Sequence, residues 1–596
     1  MFINKYFSRK LIQMFIACLV VSLTLLVTPV AATPDSYQQG YDFGLTYRQE
    51  IVKNIVELDN LAQQNKVNLD ELRKLAYAND ALYQQILPDK VAYMQGLATA
   101  TGLAYEKILI FNSLDRTITG FQGECTTFMA NGKAVAGGKG TIIAKNRDVG
   151  VNALSEINIH EARRHTDNHL YKAAYIDIPQ VAETYKFIGS RSAGRWGYGM
   201  GINEFQVIAS DNDANSRDAL DFKSGLHDND VIRLILERAK TAREGVQVVT
   251  DLVEKYGQAW NGIMFEIGDP NEFWIVEVTG RRWVAKRYVD TFTARSNQYQ
   301  ITDDYDLAAK DLLSFAESQK WIKPGLKKIN FRAVYGTLEL YPANNDNLAQ
   351  RPAMEKLYNT EMRYQRAMQL LAPQNGYISI ENIMPMMRDH YDEYTLPSGK
   401  VIPMHQKPFY SSEYADWYNR EWVDKWPSKD TINTSMYIRG VCGHDLGWGA
   451  TMATAIMVAR PEQPNELGLM LHSYMQPCLS TFVPFYVGLE QVPTAYQTPE
   501  AAFAFHGIAM RAFGNYDLYH DAIRAAFQPY ETQLLKDLFY FEEEYKEELV
   551  AKNHPDHAQE LLNKFVADKA AQALQAANTA ETNMQKAAAK ATAWTR

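Results

Sequence analysis

The stretch GECTTFMANGKAVAGGKGTIIAKNRDVG, residues 123–150, decides the fold. Before it the chain carries a helical rhythm: Ile51, Ile55, Leu58 and Leu61 step by 4, 3 and 3 and so fall on one helix face. Further helical patterns cover 69–86, 88–102 and 105–116, and the block 36–120 reads as a separate helical unit. From Cys125 onward the pattern becomes strand-like. Asn131-Gly132 is a hairpin signal, and Gly137-Gly138 is a second break before the strand-like Thr141 to Ala144. That strand then delivers Lys145, Asn146, Arg147 and Asp148 in succession. A cysteine at a helix-to-strand boundary, followed by Thr126 and Thr127, is thus faced by a returning cluster of charged and amide groups.

Outward from this hairpin, strand-like runs continue to about 211, broken by the glycines of GRWGYGMG (194–201). A helical pair follows at 228–256, where Thr241 and Glu244 have capping-box spacing. GIMFEI (262–267), a turn at Asp269-Pro270-Asn271, FWIVEV (273–278) and RRWVAKRYV (281–289) read as strands. Residues 300–430 are mixed and loop-rich, and an apolar strand region runs from about 450 to 490. From 529 the chain is helical and rich in Ala, Glu and Lys, with a polar tail expected to fray. Strands, then helices, then strands predict an α+β fold of stacked layers.

Composition sets the outer limits. Over 596 residues, 46% hydrophobic and 22% charged side chains describe an ordinary globular protein rather than a disordered one. The first residues read as an export signal: Lys5, Arg9 and Lys10 precede a mostly apolar Leu11 to Val30, and Val30-Ala31-Ala32 fits a cleavage site. The apolar run is also long enough for a membrane anchor, an alternative the residues leave open. Removing residues 1–32 deletes three positive and no negative charges, so the mature chain is more acidic than the full-length −9. Nucleic-acid binding is not expected, because phosphate neutralisation needs basic patches and none stands out. Three cysteines remain, Cys125, Cys442 and Cys478, an odd number that leaves at least one thiol unpaired.

Several familiar sites fail on spacing. GSRSAG (189–194) is not the G-x-S-x-G of a nucleophile elbow. His160-Glu161 with His165 is one residue too long for H-E-x-x-H, so the histidines do not share a helix face. DNDANS (211–216) starts like a calcium loop but lacks the glycine at its sixth position and has Phe222 where a bidentate glutamate belongs; it reads as a surface turn, with a non-standard calcium site as the alternative. No phosphate-cradling glycine loop is present. Neither a cofactor nor a metal site is expected. Cys442 and Cys478 have no nucleophile context and are read either as a disulfide or as two buried thiols.

An unpaired cysteine is most often a small buried hydrophobe. Against that stands the pattern C-T-T-F, a glycine-bearing hairpin, and G-x-x-I-A-x-N-x-D. It resembles the N-terminal-nucleophile hydrolases with catalytic cysteine, of which three branches are relevant: the dipeptidase A family, the acyl-coenzyme A:6-aminopenicillanate acyltransferases and the choloylglycine hydrolase group. YQQGYDFG (37–44) and LPDKVAYMQGLATATGLAYEKILIFN (87–112) look like the acyltransferase-type pro-segment. MRDHYDEYT (387–395), ATMATAIMVARPE (450–462) and SYMQPCLSTFVPFY (473–486) look more like the dipeptidase branch.

The resemblance implies a four-layer αββα sandwich, with a signal over 1–32, a pro-segment over 33–124, a catalytic domain over 125–528 and a helical extension over 529–596. It implies that the chain cuts itself at Glu124–Cys125. The freed α-amine of Cys125, with a pKa near 8, then activates the adjacent thiol. Asp148 matches the aspartate that holds this amine. Lys145 stands where relatives carry arginine, and Arg147 fills a gap that is usually uncharged, so the cation beside the sulfur is one or the other. Asn297, in ARSNQYQI (294–301), is the candidate oxyanion donor, and Asn212, in GINEFQVIASDND (201–213), a candidate second one. Gln206 replaces a usual glycine in that strand. Arg363, in TEMRYQR (360–366), is a candidate support for the site.

The expected activity is hydrolysis of a linear amide C–N bond in a dipeptide or N-acyl amino acid by an exported enzyme, with the pro-segment retained non-covalently. The partners expected are a small amide or short peptide. Acyl transfer on the same fold, activity without self-cleavage, and a catalytically silent envelope binding protein are the alternatives.

Overall fold

The structure is a computed structural model, and it describes residues 34–64, 68–113, 124–149, 155–164, 170–172, 177–179, 181–218, 226–258, 262–336, 360, 363–390, 393–395, 401–403, 441–445, 449–497, 499–513 and 516–594. The expected export signal lies outside the described residues. It is a mixed helix-and-sheet protein. Among the described residues five helices lead: α1 (Pro34–Thr46), α2 (Arg48–Gln64), α3 (Leu69–Ile86), α4 (Pro88–Thr101) and α5 (Tyr105–Ser113). The strands β1 (Glu124–Asn131), β2 (Thr141–Val149), β3 (Ser155–His160), β4 (Phe187–Ser192), β5 (Met200–Asn203) and β6 (Ile208–Ala214) follow. After the helices α6 (Asp228–Arg238) and α7 (Ala242–Tyr256) come β7 (Gly262–Gly268), β8 (Phe273–Thr279), β9 (Arg282–Tyr288), β10 (Phe292–Arg295) and the short β11 (Leu307–Ala308). The rest of the chain adds α8 (Ile380–Met386), β12 (His444–Asp445), β13 (Gly449–Ala459), β14 (Leu469–Tyr474), β15 (Val483–Tyr486), α9 (Pro499–Phe513), α10 (Tyr516–Lys546) and α11 (Pro555–Trp594).

Two sheets hold the core. A seven-stranded sheet runs β10-β1-β2-β13-β14-β15, with β12 paired to β13, and an eight-stranded sheet runs β11-β9-β8-β7-β6-β5-β4-β3. The sheets meet face to face, β1 against β6 and β2 against β7, while α7 covers β8 and α11 covers β15. A strand covered on both faces should be apolar throughout. All nine residues of β2 are buried, yet four of them are Lys145, Asn146, Arg147 and Asp148. Buried polar groups at such density need partners for every donor and acceptor. Those partners define the site described below.

Several expectations change. DNDANS is not a surface turn: Asp211 and Asn212 lie in β6, buried and paired to Phe265 and Met264 of β7. Asn131-Gly132 does not make a two-residue hairpin. A 3₁₀ turn over Gly132–Ala134 and the loop to Gly140 separate β1 from β2. The polar tail does not fray over its described length. It forms the 40-residue α11, whose Ala570, Ala573, Ala577, Ala580 and Met584 are buried, because small alanines let the helix lie close to its neighbours. Helix α10 also runs through residue 529 without interruption.

The leading helices pack against the rest of the fold. Lys90 of α4 forms a buried 2.5 Å ion pair with Asp230 of α6 and donates to the Asn112 carbonyl. Asn112 in turn bonds the Gly194 carbonyl and the Trp196 amide of the glycine-rich loop. The guanidinium of Arg191 on β4 lies over the rings of Phe43 and Tyr93. The glycines of YQQGYDFG have a packing role: a Cβ at Gly40 would lie 2.0 Å from the Tyr93 carbonyl oxygen, and one at Gly96 2.2 Å from that of Tyr37, so α1 and α4 touch through backbone.

Candidate active site

The register of β1 on β2 places the candidate residues. Cys125 lies opposite Arg147, Thr126 opposite Asn146, Thr127 opposite Lys145 and Glu124 opposite Asp148. Directly opposed residues in an antiparallel pair share a face. Cys125, Thr127, Lys145 and Arg147 therefore look toward the eight-stranded sheet, and Thr126, Asn146 and Asp148 look away from it.

The bonds on the first face agree. Lys145 Nζ lies 2.5 Å from Asp211 Oδ1 and 3.1 Å from the Gly199 carbonyl oxygen. Arg147 Nη1 donates to Ser192 Oγ at 2.9 Å. Thr127 Oγ1 donates to Asn212 Oδ1 at 2.9 Å, and Asn212 Nδ2 donates to the Ser296 carbonyl at 3.0 Å. Asn212 thus braces the turn that carries Asn297.

Strand β10 pairs with β1, Arg295 opposite Thr127, and this brings Asn297 to the cysteine. The Cys125 backbone N–H donates to Asn297 Oδ1 at 3.0 Å. Arg363 Nη2 donates to the same oxygen at 2.7 Å, while its Nη1 reaches the Cys125 carbonyl oxygen at 2.5 Å and Thr126 Oγ1 at 3.0 Å. A guanidinium can only donate, so the amide of Asn297 is fixed with its oxygen toward Cys125. One N–H of its Nδ2 goes to the Asp213 carbonyl at 2.9 Å.

On the far face, Thr451 Oγ1 donates to Asp148 Oδ1 at 2.6 Å. Asn146 Nδ2 donates to the carbonyls of Met387 and Val441, at 2.9 and 2.7 Å, and its Oδ1 accepts from Thr454 Oγ1 at 2.6 Å. Asp148 stands level with Glu124, beside the Glu124–Cys125 bond, but on the face opposite the thiol.

The electrostatics answer which cation attends the sulfur. Burial pushes the Cys125 thiol up to about 12; Lys145 pulls it down, while Asp148, Asp211 and Asp213 push it further up. Burial disfavours the charge on Lys145, but Asp211, Cys125 and Glu266 outweigh it and hold the ammonium above the ordinary lysine value. Burial likewise raises Asp211 to about 7 against the pull of Lys145, and Glu266 to about 8. Lys145 is therefore the cation coupled to the thiol, and Arg147 is tied to Ser192. The balance of these effects favours the neutral thiol.

The structure brings Cys125, Lys145, Arg147, Asn212, Asn297 and Arg363 around one point, with Asp148 behind the strand. The sequence pattern passes over Asp211, which holds Lys145, because DNDANS reads as a turn. It also passes over Thr451, whose link to Asp148 spans 303 residues and leaves no local pattern.

Residues 124–525 match the sequence profile of Peptidase family C69. A probable dipeptidase of Latilactobacillus sakei is 28% identical over 297 residues, which cover 45% of this chain and 61% of that protein's length. A probable dipeptidase of Salmonella dublin is 23% identical over 386 residues, covering 61% of this chain and 81% of that one. The crystal structure of a mutant conjugated bile acid hydrolase from Clostridium perfringens aligns over 61% of this chain and 92% of its own at 10% identity, with a TM-score of 0.27.

Proposed function

The chain belongs to Peptidase family C69, and from that membership and the site geometry we propose that it is a cysteine N-terminal-nucleophile hydrolase of short linear amides, dipeptides foremost. The observation that carries this reading is positional. The family match opens at Glu124, one residue before Cys125, and Cys125 is the thiol beside which Lys145, Asn297 and Arg363 converge. In this reading the two stacked sheets with helices outside them form the four-layer αββα sandwich of such hydrolases, residues 33–124 are its pro-segment, and residues 1–32 direct export.

Activation proceeds at Glu124–Cys125. The Cys125 sulfur adds to the Glu124 carbonyl carbon, the C–N bond breaks as nitrogen takes a proton, and a thioester results. Water then splits the thioester into the Glu124 carboxylate and a free thiol with a new α-amine. That amine, with a pKa near 8, is the base the thiol lacks. Asn297 Oδ1, which accepts the peptide N–H in the uncut chain, accepts an N–H of the amine afterwards and so aims its lone pair at the sulfur. Asp148, level with the junction, offsets the ammonium charge.

In turnover the amine takes the thiol proton, and the thiolate attacks the substrate carbonyl. The oxyanion accepts a hydrogen bond from the remaining Nδ2 hydrogen of Asn297, a donor worth about 3 kcal/mol in comparable sites. The ammonium protonates the leaving amine, and water releases the acid. Lys145 favours the thiolate, and Arg363 is a positioning residue that acts through Asn297. Intact-mass analysis of the purified protein tests the reading: two chains, the heavier beginning at Cys125, are expected.

A further inference from the structure

A second cluster lies behind β2. His390, just after α8, Cys442 and His444 at the start of β12, and Cys478, in the turn between β14 and β15, converge so that one donor atom from each lies within 4.8 Å of the others. All four are buried, with Cys442 and His444 fully enclosed. Cys442 and Cys478 are free thiols 3.6 Å apart at sulfur. His444 Nε2 lies 3.5 Å from the Cys442 sulfur and 3.1 Å from the Cys478 sulfur.

The three separations among Cys442, His444 and Cys478 are close to the edge lengths of a tetrahedral site. With zinc–sulfur bonds of about 2.3 Å and zinc–nitrogen bonds of about 2.0–2.1 Å, ideal angles place two sulfurs about 3.8 Å apart and a sulfur and a nitrogen about 3.6 Å apart. Two thiols and two imidazoles are the ligand set of a closed structural zinc site. A cavity of about 510 Å³ lined by His390, Cys478, Tyr516 and His520 adjoins the cluster and gives a cation a path inward.

We propose that His390, Cys442, His444 and Cys478 bind one zinc-class divalent cation in a closed four-ligand site that clamps three distant segments against the back of the catalytic strand. The clamp reaches β2 through short links. Asn146 bonds the carbonyls of Met387 and Val441, which lie just ahead of two of the ligands. Gly443, between Cys442 and His444, donates to Thr451 Oγ1 at 2.8 Å, and Thr451 donates to Asp148. A Cβ at Gly443 would stand 3.4 Å from the Asp148 carboxylate, so the turn rests directly on it. The site therefore holds Asp148 in place from behind. Its existence does not depend on the hydrolase reading.

The test is the metal content of full-length protein purified without chelators, measured by plasma mass spectrometry. About one zinc per chain is expected in the wild type and in Cys125→Ala, which separates this site from the nucleophile. At least a tenfold loss is expected in Cys442→Ser and His444→Ala. Should those variants not fold, the wild type itself decides. Titrating its thiols with an organomercurial should release zinc stoichiometrically, and reloading with Co²⁺ should give a thiolate-to-cobalt charge-transfer band and tetrahedral d–d absorption. A Cys442–Cys478 disulfide, folded metal-free protein that takes up no cobalt, or zinc content unchanged in the ligand variants overturns the proposal.

Discussion

Asn297 Oδ1 accepts two hydrogen bonds, one from the Cys125 backbone N–H at 3.0 Å and one from Arg363 Nη2 at 2.7 Å. The second bond dictates which way the amide points. An asparagine so oriented presents oxygen to the Cys125 nitrogen, and in the proposed mechanism the Nδ2 hydrogen not bonded to the Asp213 carbonyl serves the developing oxyanion. Asn297→Ala should lower kcat by about 10²–10³ with a smaller change in KM. Arg363→Lys removes one prong of the fork and should also lower kcat, with the pH profile of kcat broadened because Asn297 is no longer held. A loss confined to KM would contradict both roles.

Lys145, not Arg147, is predicted to set the reactivity of the thiol. An opposite charge within about 4–6 Å shifts a titrating group by 1–3 units. Alkylation of Cys125 by iodoacetamide at fixed pH should therefore slow at least tenfold in Lys145→Met and stay nearly unchanged in Arg147→Met. The reverse order would assign the cation to Arg147.

The leading helices should remain bound after cleavage at Glu124–Cys125. Lys90 and Asp230 form a buried ion pair, and removing one partner of such a pair costs about 3–5 kcal/mol. Both chains of the wild type should elute together in gel filtration, and Asp230→Ala should lower the Tm by several degrees. Elution of the heavier chain alone, still active, would contradict a retained segment.

His472 gives a pH signature to stability. It is fully buried between Ser190 Oγ and Tyr496 OH, and burial depresses its pKa from 6.5 to about 3. A depressed folded-state pKa means the unfolded chain takes the proton first. The contribution is complete above pH 6.5 and is lost as pH falls toward 3, by up to about 1.4 kcal/mol per pH unit. Denaturant unfolding at pH 7 and pH 5 should show a smaller pH difference in His472→Gln than in the wild type; an equal difference would contradict it.

Much of this was legible in the sequence, for local reasons. The hairpin that faces Cys125 with Lys145 to Asp148 is written in a 24-residue stretch, and the β-period runs at 262–289 match three observed strands. What escaped was non-local. The polar character of Asp211 and Asn212 suggests a turn, whereas partners in two strands of the other sheet, Lys145 of β2 and Thr127 of β1, make their burial tolerable. The alanine-rich end read as a tail because alanines carry little hydrophobic signal, but they suit a helix packed closely on α10 and β15. The four-residue His/Cys cluster spans positions 390 to 478, with only Cys442-x-His444 as a local trace.

The central claim is that Cys125 is an N-terminal nucleophile released by its own attack on Glu124. The most direct measurement is N-terminal sequencing and intact mass of the wild type beside Cys125→Ala, each expressed and purified alike. The account predicts a wild-type heavy chain beginning at Cys125 and an inactive variant that is uncut at this bond. A wild type that stays joined at Glu124–Cys125 while hydrolysing a dipeptide, or a Cys125→Ala protein cut at the same bond, would contradict it.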